Sequence, residues 1–64
     1  MGIGERVRFY RGARRLSQRE LAKMLQMAPE QLNRYEKGRT APKVATTVRM
    51  ARALGVAVGD LLGD

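Results

Sequence analysis

The sequence predicts an all-α domain built from five short helices. Apolar side chains recur every three or four residues along most of the 64-residue chain, as they do on the buried face of a helix. No segment alternates apolar and polar residues with the two-residue period of a strand. A chain of this length is expected to form one domain over residues 1–64, near the lower size limit for a core without disulfides or metal.

The first helix is expected over about residues 4–14, where apolar and basic side chains fall on opposite faces of a helical pattern. Its inward side chains are expected to be Ile3, Val7 and Tyr10. Its outward side chains are expected to be Arg6, Arg8 and Arg15.

The second predicted helix has the strongest start signal in the chain. Ser17 stands three residues before Glu20, so each side chain can accept the backbone amide of the other in a capping box. Leu16 and Leu21 have the spacing of a hydrophobic staple around that start. The helix is expected to end at residue 25 or 26. Its buried side chains are expected to be Leu21, Met24 and Leu25.

The third predicted helix begins with Pro29 in its first turn, where a proline loses no useful amide. Ala28, in the cap position, is a poor acceptor, so this end is less well closed than that of the second helix. Gly38 ends the helix, as a glycine with positive φ commonly does. Leu32 and Tyr35 share the inward face. The outward side chains are expected to be Glu30, Asn33, Arg34 and Lys37.

A loop over residues 39–42 is expected to lead into a fourth helix over about residues 43–54, which Gly55 closes. Its inward side chains are expected to be Val44, Val48, Ala51 and Leu54. Arg49 and Arg52 are expected in water. A final turn over about residues 58–62 is expected to place Leu61 and Leu62 as a lid on the core.

The charge balance indicates a polyanionic partner. Thirteen Lys and Arg residues face six Asp and Glu residues, for a net charge of +7 and an isoelectric point near 11.2. Residues 1–39 hold ten basic and four acidic side chains, and residues 40–64 hold three and two. Charge alone leaves open DNA, RNA and an anionic membrane surface.

Several function classes are excluded by composition. The chain has no Cys and no His, which rules out disulfide frameworks, zinc fingers and His-dependent catalysis. With no carboxylate pair and no phosphate-cradling loop either, we expect no enzyme, no cofactor and no metal. No apolar run approaches the roughly 18 residues of a membrane span, so no membrane partner is expected. The absence of cysteine is compatible with a reducing cytoplasm.

An ordered set of residues resembles a known family. It comprises Leu16-Ser17-Gln18, Leu21-Ala22, Met27, Leu32, Tyr35-Glu36-Lys37-Gly38, Pro42, Ala51-Arg52-Ala53-Leu54-Gly55-Val56 and Leu61-Leu62. With this set the chain resembles, over essentially its whole length, the Cro/repressor-type (xenobiotic-response-element-like) helix-turn-helix domains of bacteria and phages. The resemblance implies a compact five-helix repressor-like domain with the helix-turn-helix at helices two and three. It also implies a cytoplasmic protein of bacterial or phage origin.

The resemblance implies a sequence-specific regulator of transcription, more a repressor than an activator, whose third helix (about residues 29–37) enters the major groove of double-stranded DNA. The implied base contacts are Pro29, Glu30, Asn33 and Arg34. The implied phosphate contacts are Gln18, Lys37, Arg39, Thr40 and Lys43. Two simpler interpretations stay open: Glu30 as a carboxylate favoured at a helix N-terminus, and residues 37–43 as a solvated basic loop.

The resemblance also implies a structural ion pair between Arg11 and Glu36, against the alternative of two solvated surface charges. Two positions depart from the family pattern. Gln26 stands where the turn usually has glycine, and Ala28-Pro29 stands where a polar capping residue is usual. A left-handed backbone at Gln26 would cost about 1 kcal/mol.

A homodimer on DNA is expected, because one such domain covers only a few base pairs. Candidates for the dimer seam are Met50, Val56, Val58, Leu61 and Leu62, with core packing as the alternative. An antitoxin or a restriction-modification controller would use the same domain. A protein-interaction adaptor without DNA binding is the rival from another class. RNA binding is disfavoured because the three aromatic residues form no obvious stacking platform.

Overall fold

The computed structural model describes residues 2–63, and this part of the chain folds into five helices without a strand. The helices are α1 (Ile3–Ala13), α2 (Gln18–Leu25), α3 (Pro29–Glu36), α4 (Val44–Leu54) and α5 (Val58–Leu62). The predicted fold class and helix order are therefore confirmed. None of these helices is long and apolar enough to cross a membrane.

The helices enclose one apolar core. α1 packs against α3, α4 and α5, while α2 packs against α3 and α4. The buried core side chains are Val7, Leu21, Ala22, Leu25, Leu32, Met50, Ala51, Leu54 and Leu61. Partly buried side chains around it include Ile3, Tyr10, Val56 and Val58.

Three predicted core positions are wrong. Met24 is 53% exposed, Val44 is 79% exposed and Leu62 is 51% exposed. In α4 the predicted inward residues Ala51 and Leu54 are buried, and the other buried positions belong to Thr47 and Met50, whereas Val44 lies exposed in the first turn. The burial of Met50 and Leu61 also removes both from the predicted dimer seam.

Arginine side chains contact the C-terminal ends of two helices. Arg6 was expected to point outward, but it is half-buried and its Nη1 donates to the Asp60 carbonyl at 3.3 Å. Arg49 is exposed as predicted, and its Nη2 donates to the Leu25 carbonyl. The carbonyls of the last turn have no partner within their own helix and carry partial negative charge, which favours a guanidinium there.

The capping box that begins α2 is confirmed. The Ser17 hydroxyl accepts the Glu20 amide at 2.9 Å, and the Glu20 carboxylate accepts the Ser17 amide at 2.9 Å. The hydrogen bond from the Ser17 backbone amide, with a smaller contribution from the Ser17 side chain, lowers the pKa of Glu20 from its ordinary value. The stability that this contact contributes is therefore present above the ordinary pKa and is lost as pH falls through the lowered value.

The turn after α2 has the backbone conformation that the family pattern predicts. Gln26 lies in the left-handed region with φ 56° and ψ 44°, although it is not glycine. In this conformation the Met27 amide donates to the Ala22 carbonyl at 3.0 Å, which closes the helix and starts the chain toward α3.

We expect Gln26→Gly to raise the free energy of unfolding by about 0.5 kcal/mol, because relief of the left-handed strain exceeds the entropy that glycine costs. Gly38 is the matched control: its φ is +74° and no atom lies within 4 Å of an added Cβ. Gly38→Ala should therefore lower the free energy of unfolding by about 1 kcal/mol through backbone strain alone. Urea denaturation measures both changes, and a loss of stability in Gln26→Gly would contradict the prediction.

Candidate nucleic-acid interface

The turn at Gln26 leads into α3, whose outward face carries exposed polar side chains. Pro29 begins the helix at its first position, and Ala28 before it makes no side-chain cap hydrogen bond. Glu30, Arg34 and Lys37 are all exposed and recur at intervals of four and three, so they share one face of the helix. Within residues 2–63 the Arg34 guanidinium makes only a long contact, 3.5 Å, with the Gln31 side chain. Its planar donor array therefore remains available to a ligand.

A cationic loop follows this face. Gly38, with φ +74°, turns the chain after α3, and Arg39, Thr40 and Lys43 are exposed before α4 begins. Positive side chains thus continue from Lys37 at the end of α3 into the loop. Such a row of cations is suited to the phosphates of a nucleic acid, which fix position without selecting sequence.

The predicted ion pair between Arg11 and Glu36 is confirmed. Arg11 Nε donates to Glu36 Oε2 at 2.7 Å and Arg11 Nη2 donates to Glu36 Oε1 at 3.0 Å. The third donor, Nη1, reaches the Leu16 carbonyl at 2.8 Å. The Arg11 and Glu36 side chains are 16% and 2% exposed, so this bidentate pair ties α1 to α3 in a largely dry setting.

Gln18 and Asn33 are not the free polar groups that the sequence suggests. Gln18 Nε2 donates to Glu36 Oε1 at 3.0 Å and to Asn33 Oδ1 at 3.3 Å. Both side chains are half-buried in the cleft between α1, α2 and α3. Gln18 and Asn33 therefore belong to the hydrogen-bond network around the Arg11–Glu36 ion pair. Glu30, Arg34 and Lys37 form the exposed set.

Two residues that were not among the predicted site residues also shape this surface. Arg8 is exposed and lines the same cleft as Lys37, which extends the positive rim onto α1. Its position three residues before Arg11 places both on one face of a helix, a signal that was present in the sequence. Gly4 packs against the backbone of α3, where an added Cβ would lie 2.1 Å from the Tyr35 carbonyl oxygen.

No metal-binding chemistry is evident among residues 2–63. The structure there contains no group of three or more Asp, Glu, His or Cys side chains that could hold an ion. The surface described above is instead made of exposed cations, amides and one carboxylate. Its chemistry is that of recognition by hydrogen bonds and charge.

Known proteins resemble this chain in sequence. It is similar to multiprotein-bridging factor 1 of Candida glabrata, with 35% identity over 66 aligned residues. That alignment covers 95% of this chain and 44% of the relative, so the chain spans less than half of the relative's length.

Solved structures resemble it over nearly the whole fold. One is the P22 c2 repressor in complex with the synthetic operator 9T, with a TM-score of 0.91 and 28% identity. That match covers 100% of this chain and 98% of the repressor chain. Another is the restriction-modification controller protein C.AhdI from Aeromonas hydrophila, with a TM-score of 0.88, 27% identity and coverage of 94% and 91%.

The family follows from the sequence and from the fold together. A helix-turn-helix family model matches residues 7–61, which include the capping box of α2, the left-handed turn at Gln26, the whole of α3 and the Arg11–Glu36 pair. The five-helix fold observed here matches the P22 c2 repressor structure over its whole length. The chain belongs to the Cro/repressor-type helix-turn-helix family.

Proposed function

We propose that this domain is a sequence-specific DNA-binding regulator of transcription that inserts α3 into the major groove. The observation that carries the proposal is the exposed face of Glu30, Arg34 and Lys37, continued by the cationic loop. The major groove is wide enough to admit a helix and presents a distinct pattern of donors and acceptors for each base pair. The similarity to a repressor solved on an operator supports the same assignment.

Base contacts are assigned to the start and middle of α3. Arg34 can donate two hydrogen bonds to the O6 and N7 atoms of guanine, and the Glu30 carboxylate can accept from cytosine N4. Pro29 has no amide hydrogen, so it offers only an apolar contact such as one with a thymine methyl group. Asn33 stands beside this set with one of its amide atoms already engaged by Gln18.

Phosphate contacts are assigned to the residues that flank α3. Lys37, Arg39, Thr40 and Lys43 are exposed in and around the loop after the helix. Gln18 lies at the start of α2, where the positive end of the helix favours an anion. Its side-chain donors point inward, so a contact from Gln18 would use its backbone amide.

The test separates the two kinds of contact. Arg34→Ala should relax preference at one base pair, with a cost of about 1–3 kcal/mol on the cognate duplex and little on random duplex. Lys37→Ala should weaken binding to all duplexes alike and reduce the slope of log affinity against log salt by about 0.9. Fluorescence anisotropy over a salt series, on a selected and a random duplex, measures both effects.

Arg52→Ala provides the control, because this exposed cation lies on α4 outside the proposed interface. It should change neither sequence preference nor, beyond a small general charge effect, affinity. Equal losses from Arg34→Ala and Lys37→Ala on both duplexes would contradict the division between base and phosphate contacts.

We further propose that two copies bind a two-fold operator. Val56 and Val58 are half-buried and Leu62 is 51% exposed, so an apolar strip near α5 stays partly uncovered by the core. Selection of bound sites from a randomised duplex library should return paired half-sites about 10 base pairs apart. Isolated single half-sites would contradict the dimer.

A second candidate is an adaptor that joins proteins without binding DNA. Similarity to a protein named multiprotein-bridging factor 1 favours it, and the net charge of +7 opposes it. Titration with random duplex at low salt separates the two, since only the DNA-binding protein should show salt-dependent affinity. Among DNA-binding roles, we propose repression over activation. The similarity to a restriction-modification controller keeps a controller or antitoxin role as the nearest alternative.

A further inference from the structure

A shallow groove lies between the C-terminal halves of α2 and α4. The residues that line it, here called the α2–α4 groove, are Met24, Leu25, Arg49, Arg52 and Ala53. Leu25 is buried and Ala53 is half-buried, so the floor is apolar, and Met24 beside them is 53% exposed. The volume of about 330 Å³ is at the lower end of the range of ligand pockets, so the groove fits a short segment of a partner.

The groove carries positive charge without a compensating carboxylate. Arg49 and Arg52 are both exposed and stand three residues apart, on one face of α4. No Asp or Glu is among the lining residues. Within residues 2–63 the only ion pair is Arg11–Glu36, so neither guanidinium of the groove is paired with a carboxylate of this part of the chain.

Arg49 also removes an obstacle to an anionic partner. The last carbonyls of a helix carry partial negative charge and would repel a carboxylate placed at the end of α2. Arg49 Nη2 donates to the Leu25 carbonyl and so covers this negative end. The exposed guanidinium of Arg52 has the planar fork that binds a carboxylate through two hydrogen bonds. The groove therefore combines an apolar floor with donors for acidic side chains.

We propose that the α2–α4 groove binds an acidic segment of a partner protein, with an apolar side chain against Met24 and carboxylates against Arg49 and Arg52. Clusters of arginine recognise acidic motifs, and methionine adapts its shape to the side chain that it contacts. A second copy of this chain fits less well, because two-fold pairing would place the arginines of one groove against those of the other. A DNA backbone fits less well, because it has no apolar side chain for the floor.

This inference goes beyond the proposed function and does not depend on it. None of the lining residues belongs to α3 or to the cationic loop after it. An acidic segment and a duplex should therefore bind the domain at the same time.

A synthetic peptide tests the groove directly. The probe is a fluorescein-labelled peptide in which pairs of Glu and Asp alternate with Leu, and the control peptide has Gln and Asn in place of the acids. In fluorescence anisotropy the acidic peptide should bind the wild-type domain saturably and the amide peptide should not. No saturable binding of the acidic peptide at domain concentrations up to about 1 mM would overturn the inference.

Variants at two exposed positions measure the two kinds of contact. Arg52→Ala should weaken binding of the acidic peptide by about twofold to fivefold, the range for an exposed ion pair, and Arg52→Glu by on the order of tenfold. Met24→Ser should weaken it by about threefold through loss of the apolar contact. Because both side chains are exposed, these variants should keep the fold, and circular dichroism checks that they do.

Arg39→Ala is the matched control, since it removes one exposed cation from the loop after α3 instead of from the groove. It should weaken duplex binding and leave peptide binding nearly unchanged, while Arg52→Ala should do the reverse. Equal losses of peptide binding in the two variants would show that the peptide responds only to net charge. Equal losses of duplex binding would assign the groove to DNA phosphates. A dimer in analytical ultracentrifugation that Met24→Ser abolishes would assign it to a second copy. Each of these three results overturns the inference.

The methyl group of Met24 reports the location in the wild-type domain. On addition of the acidic peptide, its NMR signal should shift, while that of Met27, half-buried in the turn before α3, should not. A shift at Met27 alone would overturn the inference. Because no duplex is present, this result is separate from the proposed function: a domain that binds DNA without the Met24 shift refutes the groove alone, and one that shows the shift without binding DNA refutes the proposed function alone.

Discussion

Arg11→Met is expected to lower the free energy of unfolding by about 3–5 kcal/mol, the range for removal of one partner from a buried ion pair. The Glu36 side chain is 2% exposed, so without the guanidinium its carboxylate would remain in a dry site with only the Gln18 amide as a donor. A domain of this length has a total stability of roughly 3–10 kcal/mol, so the variant should be largely unfolded or close to it. Urea and thermal denaturation followed by circular dichroism measure the loss.

Glu36→Gln should cost less, toward the lower end of that range at about 3 kcal/mol, because Arg11 is 16% exposed and retains some hydration. The double variant Arg11→Met with Glu36→Leu should recover much of the loss, since neither charge is then left alone in the core. Single losses below about 1 kcal/mol, the range of surface pairs, would show that the pair is solvated and contradict this account.

The features that the sequence predicted well depend on neighbours within a few residues. The Ser17–Glu20 capping box and the positive φ of Gly38 are local, so residue type and spacing are sufficient to determine them. The exposed face of α3 was predictable for the same reason, because a short helix with a fixed start at Pro29 has a fixed order of faces.

The errors arose where tertiary packing decides between equivalent periodic positions. Met24 and Val44 both fit a helical apolar stripe, yet both side chains are exposed in the folded domain. The Gln18–Asn33 contact joins two residues that are 15 apart in the sequence. Its direction depends on the Glu36 carboxylate, which accepts from Gln18 and is paired with Arg11 of α1. Spacing along the chain carries no information about such contacts between helices. The sequence therefore identified the surface and not the orientation of its amides.

Gly4→Ala should also have a large effect, because Gly4 on α1 lies directly against the backbone of α3. A Cβ there would lie 2.1 Å from the Tyr35 carbonyl oxygen and 2.8 Å from the Glu36 carbonyl oxygen. Both atoms belong to the backbone of α3, so no side-chain rotation can relieve the clash and the helices must separate. We expect a loss of about 3 kcal/mol, at the upper end of overpacking costs, despite the better helix propensity of alanine.

Separation of α1 from α3 would act on the proposed function as well as on stability, since Arg11 on α1 holds Glu36 on α3. Gly4→Ala should therefore weaken DNA binding even at temperatures where the variant is folded. Gly12→Ala is the matched control, because Gly12 lies on the same helix and nothing stands within 4 Å of its added Cβ. That variant should gain about 0.5 kcal/mol from helix propensity and bind as the wild type does. Equal stability of the two variants would mean that α1 and α3 can separate at little cost, and that the close contact at Gly4 does not hold α3 in place.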